Sequence, residues 1–374
     1  MASKEKSGGV LARRDTFLSS MRKLTFEEGF FTAAEIADVC DAPRSTAQDW
    51  INRLLAEGCI FQKEEPHGRA PAKYASRSAM PETTCKRIFT TVSGNDVEIF
   101  HECLSSGCAG FCEFHHKRAK GAAVSVERDG MIFRMRAKTG RAEPLNLQDA
   151  AVGLVSVEKK GDYVYQTIRS IPGGPAYSLS SMMSRAKGVC CVKTALEEGC
   201  VTGIVRTRAL VPVTVGIDDT DRKGCGGATF ALAQALLKYL SNSGGVIGIR
   251  HQVAVLFAGI EEKTAGNSCS FIELAVTPEA KPALAEKICR FVAEESVSED
   301  WGVAVFSGIY VPEALKVFAA KARRARVTEN EAKCAADLCG AEIFGGRGII
   351  GALASVGLKD QRRDVLLDLE RGVV

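Results

Sequence analysis

The apolar positions of the chain change period several times, and each change predicts an element. Over 11–28, Phe17, Leu18, Met21, Leu24 and Phe26 supply the apolar positions of a helix, and Thr32-Ala-Ala-Glu35 then has the form of a capping box opening a short helix that ends near Cys40. Asp41-Ala-Pro43 makes a turn. A further helix over 44–57 puts Trp50, Ile51, Leu54 and Leu55 on one side until Gly58 ends it. Residues 59–63 and 73–77 read as strands, joined by a loop containing Pro66, Gly68 and Pro71. Three helices and a β-hairpin in this order form the layout of a winged helix, expected over 10–78, with the small and charged first nine residues as an unstructured tail.

After a linker-like stretch at 76–84 the period becomes two. Strands are predicted over 86–92 and 96–100, and hairpins over 124–128/131–137 and 152–158/163–169, turning at Asp129-Gly130 and Lys160-Gly161-Asp162. A break at 171–175, a helix over 179–187 and a strand over 201–208 complete a central β-rich α+β domain, expected over 85–210. From 211 the pattern reads strand (211–217), helix (228–240), strands (246–257 and 268–276), helix (278–295) and strand (302–308). That β-α-β-β-α-β order is ferredoxin-like, and helices over 312–326 and 328–338 extend it within a domain over 211–374. The expected fold class is α+β multidomain.

Composition narrows the picture only a little. At about 150 residues per domain, 374 residues predict two or three domains. A hydrophobic fraction of 46% and a charged fraction of 25% are those of a globular protein, and a net charge of +4 permits a nucleic-acid partner without requiring one. No run approaches about eighteen apolar residues, so no membrane span is expected. The opening residues, MASKEKSGGV, lack the apolar core of a secretion signal. The fourteen cysteines are therefore expected as reduced thiols in a cytoplasmic protein.

The densest chemistry lies at 211–230, VPVTVGIDDTDRKGCGGATF. A buried strand ends on Asp218, Asp219 and Asp221, with Thr220 among them, and a glycine turn containing Gly226 and Gly227 leads into a helix. Clustered carboxylates repel, and a hard cation such as Mg²⁺ with phosphate relieves that repulsion; a solvated acidic turn is the plain alternative. A glycine-rich entry to a helix presents backbone N–H groups and a positive dipole end to phosphate. Two later loops carry matching groups. Lys263, Thr264, Gly266 and Asn267 stand between the two central strands, and Gly346, Arg347 and Gly348 lie in the glycine-dense loop 344–351, which is not a Walker loop.

Two other constellations stand apart. In HECLSSGCAGFCEFHH (101–116), His101, Cys103, Cys108, Cys112 and His115 are candidate ligands for zinc or an iron–sulfur cluster, or else cysteines facing a core as small hydrophobes. Arg44, Ser45, Thr46, Gln48 and Arg53 on the third helix, with Arg69 and Lys73 in the hairpin, suit the phosphates and base edges of DNA or RNA.

GIDDTD (216–221), KTAGN (263–267) and GGRGIIGALASVG (345–357), with VAVFSGIYVPEALKVFAAKA (303–322), resemble the motifs of the archaeal agmatinylcytidine synthetases, which modify an isoleucine tRNA with ATP and agmatine. The span from Arg87 onward, including HEC (101–103) and GIDDTDRKGCGGATFALA, resembles the methanogenesis marker protein 11 family. These resemblances imply an ATP- and Mg²⁺-dependent enzyme of phosphoryl or nucleotidyl transfer. They place Asp218, Asp219 and Asp221 at the metal–ATP site and make Lys263, Thr264, Asn267 and Arg347 candidates for phosphate or catalytic contacts. RKGCGGATF departs from the sequence that follows GIDDTD in the tRNA enzymes, and no zinc ribbon is evident. The competing expectation is a winged-helix transcriptional regulator whose C-terminal domain senses nucleotide.

Overall fold

The computed structural model describes residues 2–79, 85–171, 183–264 and 266–371. It divides into two compact units, 1–84 and 85–374, and is α+β in both.

In the first unit, helices α1 (Ala2–Glu28), α2 (Ala33–Val39) and α3 (Arg44–Ala56) precede the antiparallel strands β1 (Ile60–Glu64) and β2 (Lys73–Ser76). The capping box forms as expected: Thr32 N–H donates to Glu35 Oε2 at 2.7 Å and Glu35 N–H to Thr32 Oγ1 at 3.3 Å. Phe17, Met21, Phe31, Ile36, Trp50, Ile51, Leu54 and Ile60 share one core. Phe26, counted among the apolar positions of α1, is instead 68% exposed. α1 also runs back to Ala2, into the expected tail, because a helix nucleated by the Phe17/Met21 face propagates at little further cost. The distal part of the linker, residues 80–84, lies outside the described residues.

The second unit contains β3 (Cys85–Ser93), β4 (Asp96–Cys103), α4 (Ser106–Ala119), β5 (Ala123–Asp129), β6 (Ile132–Lys138), β7 (Val152–Lys160), β8 (Tyr163–Ser170), β9 (Val189–Glu197) and β10 (Cys200–Asp218). It continues with α5 (Thr229–Ser241), β11 (Val246–Val255), β12 (Ser268–Val276), α6 (Leu284–Glu295), β13 (Gly302–Ser307), α7 (Glu313–Ala322), α8 (Glu329–Cys339), β14 (Glu342–Gly345), α9 (Ile349–Gly357) and α10 (Arg363–Leu367). Strands β9 and β14 had no sequence-level counterpart. Residues 179–182 of the helix expected over 179–187 lie outside the described residues, and the remainder forms one 3₁₀ turn at Met183–Arg185.

The twelve strands of this unit join through β10, a single strand of 19 residues that crosses the boundary expected at 210/211. Its first half is flanked by β8 and β9, and Ala209 and Leu210 pair in parallel with Thr90 and Thr91 of β3. Its second half is flanked by β12 and β13, both antiparallel, giving the order β11-β12-β10-β13-β14. Alternation sends Val213, Val215 and Ile217 to a core with α5 and α6. The opposite face carries Phe271, Ala304 and Phe306 into a core with α7, α8 and α9. Burial on both faces explains why 211–217 reads as an uninterrupted apolar run.

A charged layer joins β4 and β6 to β11 and β12. Arg134 and Arg250 both bond Glu273, Arg250 Nε at 2.6 Å; Arg136 bonds Glu98 at 3.0 Å and Asp360 at 2.7 Å. Arg134, Glu98 and Glu273 are buried.

Candidate nucleotide site

The end of β10 sets the site. Asp218 pairs with Gly302 of β13, and α9 lies directly across both strands. That packing needs glycine: a Cβ on Gly216 would stand 1.9 Å from Ala352 O, and one on Gly302 would stand 1.9 Å from the Gly348 carbonyl carbon. Asp219, at φ 56°, takes a left-handed conformation unfavourable for a side chain, and the chain turns there.

A cavity of about 410 Å³ opens at this point. Asp218, Asp219 and Asp221 line it together with Lys263, Thr264, Gly266, Asn267, Arg347 and Gly348, so three separated motifs reach one space. The N-terminal ends of three helices also border it: Ala228 and Thr229 of α5, Thr328 and Glu329 of α8, and Gly348, Ile350 and Gly351 of α9. Three positive dipole ends around one cavity favour an anion. Phe230, Leu256, Phe257, Ile260 and Val327 add an apolar wall.

Each carboxylate has its own surroundings. Arg347 Nη2 donates to Asp219 Oδ2 at 3.2 Å and lies 3.7 Å from Asp300 and, through Nη1, 3.8 Å from Glu262. Burial raises the Asp219 carboxyl above its ordinary value, against the Arg347 hydrogen bond. Asp221 accepts from Thr264 Oγ1 at 2.8 Å and Thr229 Oγ1 at 3.3 Å. Asp218 makes no ion pair among the described residues; burial, opposed by the Asp219 N–H and reinforced by Asp219 and Asp221, holds its carboxyl well above the usual range. The repulsion expected of the cluster is thus relieved by an arginine, two hydroxyls and burial. Among the described residues no three His, Cys, Asp or Glu side chains already converge in metal-binding geometry.

The remaining expected site residues are placed differently. Lys263 folds onto its own loop, its Nζ donating to Ala258 O at 2.6 Å. Thr220 is buried and bonds Thr229 Oγ1 at 3.1 Å behind the cavity. Gly226 and Gly227, at φ 84° and 86°, shape the turn before α5 without lining the cavity, and Gly346 likewise stands outside its lining, its N–H bonded to Trp301 O at 2.8 Å. Ala265 lies outside the described residues. Asp300, Glu262, Arg326 and Thr229 were missed; the only signal for them was Arg326 in a basic run and Thr229 at a helix start.

In the first unit, Arg44, Ser45, Arg53 and Arg69 are exposed, whereas Lys73 is tied to Glu64 at 2.8 Å and lies over Phe30. Thr46 and Gln48 are not deeply buried, and Gln48 bonds Asn52 at 3.0 Å. His115 of the Cys/His stretch accepts the Ala151 N–H at 3.1 Å through Nδ1.

The fold and site define an α+β multidomain protein with a cavity suited to a phosphorylated ligand. The chain belongs to the family of the uncharacterized protein MJ0921 of Methanocaldococcus jannaschii, to which it is 30% identical over 275 residues, 71% of this chain and 90% of that protein. It is also 36% identical over 150 residues to TiaS of Pyrococcus horikoshii, a 2-agmatinylcytidine synthetase acting on an isoleucine tRNA, covering 38% of this chain and 35% of that enzyme. Among solved structures it is similar to a complex of TiaS with that tRNA and ATP (28% identity, TM-score 0.37, covering 41% of this chain and 37% of that one). A complex of TiaS with the tRNA, AMPCPP and agmatine is similar at 26% identity and a TM-score of 0.35, with coverage of 41% and 37%. The chain therefore spans about a third of the length of TiaS. No family model matches it. No described helix is long and apolar enough to cross a membrane.

Proposed function

We propose that the chain is a TiaS-related, ATP-dependent enzyme of phosphoryl or nucleotidyl transfer acting on RNA. The observation that carries this reading is the convergence of the 218–221, 263–267 and 347–351 segments on one cavity bordered by three helix N-termini. The apolar wall of Phe230, Phe257 and Val327 suits a nucleobase, and the helix ends and Arg347 suit the phosphates. Arg347, anchored on Asp219, is placed to offset charge that develops during transfer. Lys263 would leave Ala258 O to meet a phosphate as a point charge.

The donor set fits Mg²⁺. It is all oxygen, and Asp218 is a half-buried carboxyl on the cavity wall lacking an ion-pair partner among the described residues. Asp218 with Asp219 or Asp221 would hold the ion, since Mg²⁺ takes one or two carboxylates and completes its shell with phosphate and water. When bound, it supplies charge compensation between the phosphates.

The RNA contact is proposed for the first unit, read as a winged helix, with Arg44, Ser45, Arg53 and Arg69 facing the partner. The ferredoxin-like assignment of the β10–β13 unit and the methanogenesis-marker membership belong to the same reading. The test is Mg²⁺-dependent ATP turnover by the purified chain with and without tRNA, and with Asp219→Ala as control. Turnover unchanged in that variant rejects the assignment.

A further inference from the structure

The outward side of the sheet made by β7, β8, β9 and the first half of β10 carries chemistry that the nucleotide cavity does not use. These strands run antiparallel in the order β7-β8-β10-β9. Alternation turns Val164, Ile168 and Val205 inward to a core with Phe133 and Met135, and so turns Tyr163, Tyr165, Ile204 and Arg206 outward. Register then sets Tyr163 between Lys160 and Arg208, Tyr165 between Glu158 and Arg206, and Ile204 beside Lys193. None of these residues lines the cavity.

Two features of that side point to a ligand. The first is aromatic. Tyr163 and Tyr165 share one strand face, about 6.6 Å apart along it. The Arg206 guanidinium lies 5.0 Å from the centre of the Tyr163 ring, and Lys160 Nζ lies 5.6 Å from that of Tyr165. Such cross-strand pairs hold the rings in place, and Tyr163 remains 38% exposed.

The second is charge. Lys160, Lys193, Arg206 and Arg208 share these rows with one carboxylate, Glu158, which pairs with Lys160; Glu279 reaches Arg208. Both pairs are exposed, so they hold weakly and yield readily to phosphate. Arg206 and Lys193 enter no ion pair among the described residues. The segment 172–182, PGGPAYSLSSM, lies outside the described residues and carries no acidic side chain to offer them.

We propose that this side of the sheet is a stacking platform for a single-stranded segment of RNA, with Tyr163 and Tyr165 under two neighbouring bases and Lys160, Lys193, Arg206 and Arg208 at the phosphates. Exposed rings stack on bases that no helix encloses, and cations set among the rings neutralise the backbone that joins those bases. A protein partner fits less well, because the rows offer one exposed aliphatic side chain, Ile204, among lysines and arginines, and lysine is depleted from protein interfaces. The choice of RNA over DNA rests on the proposed function. The platform adds a contact in the second unit to the one proposed for the first.

The test titrates the full chain into a fluorescein-labelled, unstructured oligouridylate of about ten nucleotides and reads its anisotropy. The parent should bind. Tyr163→Ala and Tyr165→Ala should each weaken binding about tenfold, whereas Tyr163→Phe and Tyr165→Phe should stay within about twofold, since the ring does the stacking. Arg206→Ala and Lys193→Ala should each reduce the slope of log K against log salt by about 0.7. Photo-crosslinking to an iodouridine-substituted oligonucleotide should label peptides of β8 or β10. If an alanine variant at a tyrosine fails to fold, the crosslinks and the exposed-position variant Lys193→Ala still decide. No ATP is present, so a parent that binds as described yet turns over no ATP keeps the platform and rejects the enzyme. Tyrosine variants that bind as the parent does, with labelling confined to the first unit, remove the platform and leave the proposed function intact. Absence of binding by the parent would overturn the proposal, as would a dimer in sedimentation that Tyr163→Ala/Tyr165→Ala dissolves while no RNA crosslink forms on the sheet.

Discussion

The space where Gly351 would carry a side chain is filled by Asp218: a Cβ built there lies 1.7 Å from Asp218 Oδ2. The first turn of α9 and the last residue of β10 are thus fitted to each other, and the Asp218 carboxyl owes its position to a missing methyl group. Gly351→Ala should displace Asp218 or α9, costing about 1–3 kcal/mol in urea unfolding and weakening nucleotide binding by calorimetry. Unchanged nucleotide affinity would separate Asp218 from the ligand.

Arg347 should matter more to chemistry than to folding. It is 37% exposed, and its pair with Asp219 should contribute no more than about 1 kcal/mol to stability. Arg347→Ala should instead lower ATP turnover by about 10²-fold, comparable to losing one donor aimed at developing charge. Arg347→Lys should recover only part of it, because a point charge replaces a planar fork. Steady-state kinetics beside a denaturation curve separates the two effects.

Glu273 predicts a response to acid. Burial raises its carboxyl, but Arg134, Arg250 and Lys359 outweigh that and hold it below its ordinary 4.5. A carboxyl lowered on folding stabilises the protein above its unfolded value and loses that contribution as pH falls through the folded value. The stability difference between the parent and Glu273→Gln should therefore be constant near neutrality, about 3–5 kcal/mol, and shrink below about pH 4.5. Denaturation at a series of pH values reads it directly.

The RNA contact proposed for the first unit has a salt signature. Arg44→Ala and Arg53→Ala should each weaken tRNA binding and reduce the slope of log K against log salt by about 0.7–0.9 if the arginine meets a phosphate. Filter binding at several salt concentrations measures the slope, and slopes equal to the parent's would remove these arginines from the interface.

Local signals carried much of the fold. The capping box at Thr32/Glu35, the apolar run 211–217 and the hairpin turn at Asp129-Gly130 depend on neighbours only a few residues away, and each formed close to where periodicity predicts it. Motif residues such as Asp219, Thr264 and Arg347 were legible for the same reason: unusual side chains stood at turns between predictable elements.

What the sequence by itself determined was the kind and order of the elements and the three loops where chemistry is concentrated. Only the tertiary structure decided that β10 is one continuous strand, that Arg347 rests on Asp219, that Cys85 of β3 pairs with Cys103 of β4, and that three helix N-termini face one cavity. The division has one physical cause. Helix caps and side-chain periods are set by backbone geometry over a few residues, whereas these pairings arise from strand register and from glycines that let distant backbones touch, and neither is encoded in the local chain.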